Sequence, residues 1–243
     1  VSAESFVLAT TRLQPAPFLP ELALHLGEDI VGLWERTEAW SGRSGLPPPF
    51  WAFAWAGGLG LARYVLDHPE SVRGRRVLDL ATGCGVVAVA AALVGAAQVT
   101  ANDVDPLALA AVRVNAEANR VGVNIVLGDL LGPAITGSPA GQSNGQSTGQ
   151  STGSASEVGP VDVVLAGDVF YDHDLATDVL PFLQRAAERG ARVLIGDPGR
   201  RYLPRALLLP LDRYDVPVLR DLESTDIATV TVWWLPARAE ADA

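Results

Sequence analysis

The chain contains no lysine; all 18 of its basic residues are arginine. That absence reads as the compositional bias of GC-rich coding rather than as a functional signal. There is a single cysteine, Cys84, which excludes an internal disulfide and fits a reducing, cytoplasmic setting. Long apolar runs are missing too. The longest, GVVAVAAALVGAA, falls short of the roughly eighteen residues that cross a bilayer and follows a glycine-rich turn, so it reads as a buried helix. The first residues have neither the basic nor the apolar stretch of a secretory leader, and no membrane association is expected. Positive charge is scarce. With 18 basic against 28 acidic residues the net charge is −10, which argues against a broad phosphate-binding face and a nucleic-acid partner. A basic protein partner stays open, because opposite charge steers encounter.

What is present is a foldable composition, with 49% hydrophobic residues in 243. Residues 1–56 are punctuated by proline, and PELALHLGEDIVGLWERTEAW has apolar residues at helical spacing, so a helical extension or lid is expected there. From residue 57 to 243 strands alternate with helical patterns: RRVLDLA, AQVTAND, VNIVLGD, VDVVLAGD and RVLIGD are the strands of a parallel α/β sheet. RYDVPVL and ATVTVWWL follow without a helix between them and suggest an antiparallel hairpin at one edge, seven strands in all. The tract GSPAGQSNGQSTGQSTGSAS has no large apolar residue. Residues 137–159 are therefore expected to form a flexible low-complexity loop inside the domain.

RVLDLATGCGVVAVA carries the most chemistry. An apolar strand ends at Asp79 and passes through Gly83-Cys84-Gly85 into a helix, where glycines let the backbone approach a ligand beside unpaired helix N–H groups. The spacing Gly83, Gly85, Ala88 also satisfies a dinucleotide fingerprint, a weak signal alone. A carboxylate at Asp79 would repel a diphosphate and suits a cationic ligand, which makes it a cofactor-binding candidate; the plainer reading beside it is an ordinary helix N-terminal acid. Asp103 ends the next strand about twenty residues on, where a carboxylate takes ribose hydroxyls. Ribose, positive charge and no phosphate describe S-adenosylmethionine. Cys84 reads as a small buried filler.

VLDLATGCG, ANDVDP and the seven-strand order together resemble the class I S-adenosylmethionine-dependent methyltransferases with their Rossmann-like sheet. The resemblance implies Asp103 as ribose ligand and Asp129 beside the adenine, while Asp105 before Pro106 caps the following helix. PPPFWAFAWAGGLGLARYVLDHP, GDVFYD and LIGDPGR narrow it to the seven-strand protein-lysine methyltransferases, most closely the family acting on the electron transfer flavoprotein beta subunit. That resemblance implies a methyl-transfer rim of Asp168, Phe170 and Tyr171, with Asp168 and Tyr171 catalytic and Phe170 at the substrate. Asp197 and Arg200 would orient the substrate, and the segment bearing Trp51 and Trp55 would fold over the cofactor. The implied partner is a protein that presents a lysine; no metal is expected.

Plainer readings stand beside these. AGDVFYDHD can cap the helix after it through Asp172 or Asp174, with His173 a surface turn residue. DPG is a common turn, and large aromatics commonly plug a core. The competing functions are a small-molecule N- or O-methyltransferase, perhaps on a pyridine, and a cofactor-binding protein without turnover. NPPY and NPPF are absent where GDVF stands, which disfavours base-amine and glutamine acceptors.

Overall fold

The computed structural model describes residues 1–132, 158–220 and 225–237. The expected loop at 137–159 therefore lies outside the described residues except at its last two. Nine strands are present among the described residues, seven of them in one sheet and two in a separate hairpin. The large sheet is built from β3 (Arg76–Leu80), β4 (Gln98–Asp103), β5 (Asn124–Leu127), β6 (Val163–Gly167), β7 (Arg192–Asp197), β8 (Leu209–Pro217) and β9 (Ile227–Leu235). Their spatial order is β5-β4-β3-β6-β7-β9-β8. The first five pair in parallel, and β9 pairs antiparallel with both β7 and β8. The strand order turns back beside β3, so the C-terminal tips of β3, β4 and β6 border one crevice, where ligands of open α/β sheets bind.

Successive residues of β3 serve opposite faces. Val77 joins the core formed with α3 (Ala56–Asp67) and α4 (Val86–Leu93), whereas Leu78 and Leu80 join the core under the helix His173–Glu188. α5 (Pro106–Ala118) starts at Asp105, whose carboxylate accepts from the Leu107 amide at 2.8 Å as an N-cap. The helix α6 (His173–Glu188) is capped the same way by Asp172, which accepts from the amides of Asp174 and Leu175.

The N-terminal 56 residues are not wholly helical. α1 (Ala3–Thr10) leads into an antiparallel hairpin of β1 (Arg12–Ala16) and β2 (Leu19–Leu26), followed by α2 (Ile30–Ser41) and a 3-10 turn at Phe50–Ala52. Leu22, Leu24 and Leu26 are buried and the residues between them are not, a period of two. Leu22 and Leu26 also satisfy a helical spacing that continues into α2, so the two periods overlap in the sequence. Asp29 ends the ambiguity by capping α2 through the Gly32 amide at 3.0 Å.

α3 lies so close to the sheet that its first turn must be glycine. A Cβ on Gly57 would collide with the carbonyl of Gly196 in β7 and come within 2.7 Å of Asp168 Oδ2. Glycine in a helix costs about 1 kcal/mol against alanine, and the close approach is what it permits here.

Candidate active site

A cavity of about 470 Å³ opens above the tips of β3, β4 and β6. Its floor is the glycine turn. Gly83, at φ +54°, borders the cavity and donates its amide to Asp103 Oδ2 at 3.0 Å. Gly85, at φ +80°, does not border it; a Cβ there would come within 2.9 Å of Val112 Cγ2, so this glycine lets the turn lie against α5. Asp103 and Asp129 border the cavity from β4 and from beyond β5. Burial raises the Asp103 carboxyl above its ordinary range, against amide bonds from Asp105 and Gly83 that favour the charged form.

Asp79 is placed differently from the sequence expectation. Its carboxylate is 1% exposed and does not line the cavity. Oδ2 accepts from Thr82 Oγ1 at 2.5 Å and from the Ala88 amide at 3.0 Å, which ties the turn to the first turn of α4. Burial is the main cause pushing its pKa up to about 7. The structure gives Asp79 the contact of the helix N-terminal reading, because β3 points this side chain back under the helix, and offers no direct contact with a ligand in the cavity.

At the other end of the cavity stands Asp168, at the tip of β6 with φ +56°. A left-handed conformation costs a non-glycine residue roughly 1 kcal/mol or more, and here four donors hold it. Oδ2 accepts from the amides of Gly57 and Gly58 at the start of α3. Oδ1 accepts from Arg200 Nε at 2.9 Å and pairs with its terminal nitrogen at 2.7 Å. Arg200 is aimed by Asp197, whose Oδ1 accepts from the amides of Gly199 and Arg200 at 2.6 and 2.7 Å. Asp197 itself is 1% exposed and absent from the cavity wall, so its expected contact with substrate is replaced by a turn-forming role. Burial raises its carboxyl above the ordinary range, against those two amide bonds.

Phe170 is also displaced from its expected place. It is fully buried in the core with Val179 and Leu183 of α6 and does not reach the cavity. The Asp172 cap turns the chain directly into the helix, which carries Phe170 underneath. Tyr171 remains at the rim, half-exposed, with its phenol raised by burial and then by the negative charges of Asp172, Asp103 and Asp168. His173 is exposed outside the cavity beside Asp174.

Phe50, which the sequence reading did not single out, completes the rim. Its ring stands 5.5 Å from Trp55 and 5.7 Å from Tyr171, centroid to centroid, and its carbonyl accepts from Trp55 Nε1. The signal was its place in PPPFWAFAW, but nothing in that string distinguishes a rim ring from a core ring. Trp51 borders the cavity from below at 1% exposure, and its Nε1–H has no acceptor among the described residues. A ligand rich in acceptor oxygens fits such a wall, and a ribose fits the Asp103 end. The residues present thus suit a nucleoside-bearing cofactor.

The chain as a whole has curated relatives. An electron transfer flavoprotein beta subunit lysine methyltransferase of Xenopus laevis is 35% identical over 236 residues, covering 94% of this chain and 85% of its own. The chain belongs to this methyltransferase family. The Danio rerio member is 36% identical over 95% of this chain and 82% of its own, and the Mus musculus member 38% over 82% and 70%. The profile described as Ribosomal protein L11 methyltransferase (PrmA) matches residues 64–137, the stretch from α3 past β5. Among solved structures, a T. thermophilus 16S rRNA methyltransferase in complex with AdoMet and guanosine superposes with a TM-score of 0.55 at 20% identity. It covers 94% of this chain and 51% of that one, a likeness of fold.

Proposed function

We propose that this methyltransferase binds S-adenosylmethionine in the cavity above β3, β4 and β6 and methylates a lysine side chain of a protein, the electron transfer flavoprotein beta subunit being the first candidate. One observation carries the reading: a single cavity has a ribose-type carboxylate, Asp103, at one end and the Asp168–Arg200 pair under an aromatic rim at the other. When bound, the cofactor would supply a methyl carbon on positively charged sulfur, open to displacement by a neutral lysine nitrogen with the thioether as leaving group.

The chain's own residues do the rest. Asp103 orients the ribose, while Gly83 lets the backbone come close. Phe50, Trp55, Pro47 and Pro48 form an apolar wall that strips water from the entering ammonium, and desolvation lowers its pKa from about 10.4 toward the working pH. The proton leaves to solvent past the half-exposed Tyr171. Asp168 meets donors at both oxygens, so it orients the wall and offers negative potential to the ammonium rather than taking up its proton. Rings facing the nitrogen add cation–π attraction of about 0.5–2 kcal/mol.

The test supplies methyl-labelled S-adenosylmethionine with recombinant electron transfer flavoprotein in one reaction and a small-molecule extract in another. Label on lysines of the beta subunit supports the reading. Label confined to the small-molecule fraction refutes it and leaves a small-molecule N-methyltransferase.

A further inference from the structure

Two asparagines lie one turn apart at the end of α5, Asn115 within the helix and Asn119 at its C-cap. Both reach across to β2. A strand in a two-stranded hairpin has only one paired edge, and its other edge presents unpaired N–H and C=O groups. β1 takes one edge of β2. On the other edge, Asn119 Oδ1 accepts from the Ala23 amide at 3.0 Å and Asn119 Nδ2 donates to the Ala23 carbonyl at 2.6 Å. Two residues on, Asn115 Oδ1 accepts from the His25 amide at 2.7 Å. The two amide side chains act as a surrogate strand.

Asn115 does one thing more. It is fully buried, and its Nδ2 donates at 2.8 Å to the carbonyl of Cys84, the middle residue of the glycine turn. One side chain thus bonds the hairpin with its oxygen and the cofactor turn with its nitrogen. The turn is held on both sides of Cys84: Gly85 is seated on Val112 one turn earlier on α5, and Gly83 is held by Asp103.

We propose that Asn115 is a positioning residue that couples the N-terminal hairpin to cofactor binding, by fixing the Cys84 carbonyl so that Gly83 is presented to the cavity. This rests on the functional reading above. The N-terminal extension then belongs to the cofactor site energetically, although the hairpin touches no part of the cavity. Whatever holds the turn in its binding geometry also holds β2, and the coupling runs equally in both directions.

Asn119 provides the internal control, because it clamps the same strand without touching the turn. S-adenosylhomocysteine, the demethylated cofactor, serves as the probe. Titration by calorimetry should show Asn115→Ala binding it about tenfold more weakly, because a turn no longer held in its binding geometry has to be ordered as the ligand binds. Asn119→Ala, which loosens β2 but leaves the Cys84 carbonyl paired, should weaken binding clearly less than Asn115→Ala does, while its hairpin amides exchange faster. In the unaltered protein, hydrogen exchange at the His25 amide should slow when the probe is added, and in Asn115→Ala it should not respond. Equal weakening by both substitutions would overturn the proposal, as would a His25 amide indifferent to the probe in the unaltered protein. Failure of the unaltered protein to bind the probe at all would overturn the functional reading and this proposal with it.

Discussion

Replacing Asp168 by asparagine tests the centre of the site without changing its size. An asparagine has one acceptor oxygen and one donor nitrogen, whereas the Asp168 carboxylate meets donors on both sides: the Gly57 and Gly58 amides at Oδ2 and Arg200 at Oδ1. Whichever way the new amide turns, its NH₂ faces another donor. In either orientation the Arg200 guanidinium, its side chain only 23% exposed, loses the negative charge of Asp168; if the NH₂ faces Arg200, that guanidinium loses this acceptor as well. If it faces α3, the first turn of that helix loses its anchor. Breaking a fully buried pair costs about 3–5 kcal/mol, and the residual solvent contact of this one brings the expectation to about 2–3 kcal/mol. For a domain of this size each kcal/mol moves the melting temperature by about 2–4 °C, so a drop of roughly 4–12 °C is expected. Circular dichroism melts of Asp168→Asn, Arg200→Gln and the double variant provide the assay. Because the two residues share their bonds, the double variant should be less destabilised than the sum of the singles by about 1 kcal/mol or more. A melting temperature unchanged in Asp168→Asn, or strictly additive losses, would refute the claim that this pair holds the cavity wall to α3.

Trp51→Phe removes a buried N–H that has no acceptor among the described residues. The free protein should be as stable or more so, while calorimetry should show weaker binding of S-adenosylhomocysteine; unchanged affinity would mean that the cofactor never meets this donor. Asp79→Asn keeps an oxygen for Thr82 and Ala88, since both bond the same atom. The folded carboxyl ionises near 7 and the unfolded one near its ordinary 3.8, so the folded state holds the extra proton between those values. The unaltered protein should therefore lose stability as pH rises from about 4 to 7, and the variant should not, as urea unfolding at several pH values would show. If charge at Asp79 served the sulfonium, the variant would instead lose affinity for S-adenosylmethionine more than for S-adenosylhomocysteine. Phe50→Ala deletes ring contacts to both Trp55 and Tyr171, worth about 0.5–1.5 kcal/mol each. Steady-state kinetics should show KM for the protein substrate rising several-fold with cofactor affinity little changed; the reverse pattern would place Phe50 on the cofactor.

The sheet was legible because its strands are short apolar runs ended by acids and glycines, and because parallel order follows from intervening helices. The edge hairpin β8–β9 was legible for the converse reason, the lack of a helix between two β-rich runs. The cavity was legible only where a strand tip fixes direction. Asp103 ends β4 and Asp168 directly follows the last residue of β6, and both border the cavity. A strand end is not sufficient, and beyond it direction depends on what the chain does next: Asp197 ends β7 yet turns inward to shape the Arg200 loop, and Phe170, three residues past β6, turns under α6 because Asp172 caps it. Asp79 sits before the tip rather than at it. The Asp168–Arg200 pair needs β6 and β7 to be neighbours, which spacing along the chain does not state. The first hairpin was hidden because its leucines fit two periods at once.

The pairing of β3 with β6 sets Val77 against Val163, partners separated by 86 positions in the chain. Bringing them together from the unfolded ensemble is the long-range step in building the centre of the sheet, and its entropic penalty grows only with the logarithm of the intervening length. Lengthening that span by the twenty residues of the glycine-serine-glutamine tract adds about 0.2 kcal/mol. A repeat can therefore grow or shrink between β5 and β6 almost without selection on stability. The same insertion in the four positions that separate β3 from Gly85 would separate a strand from the turn it aims.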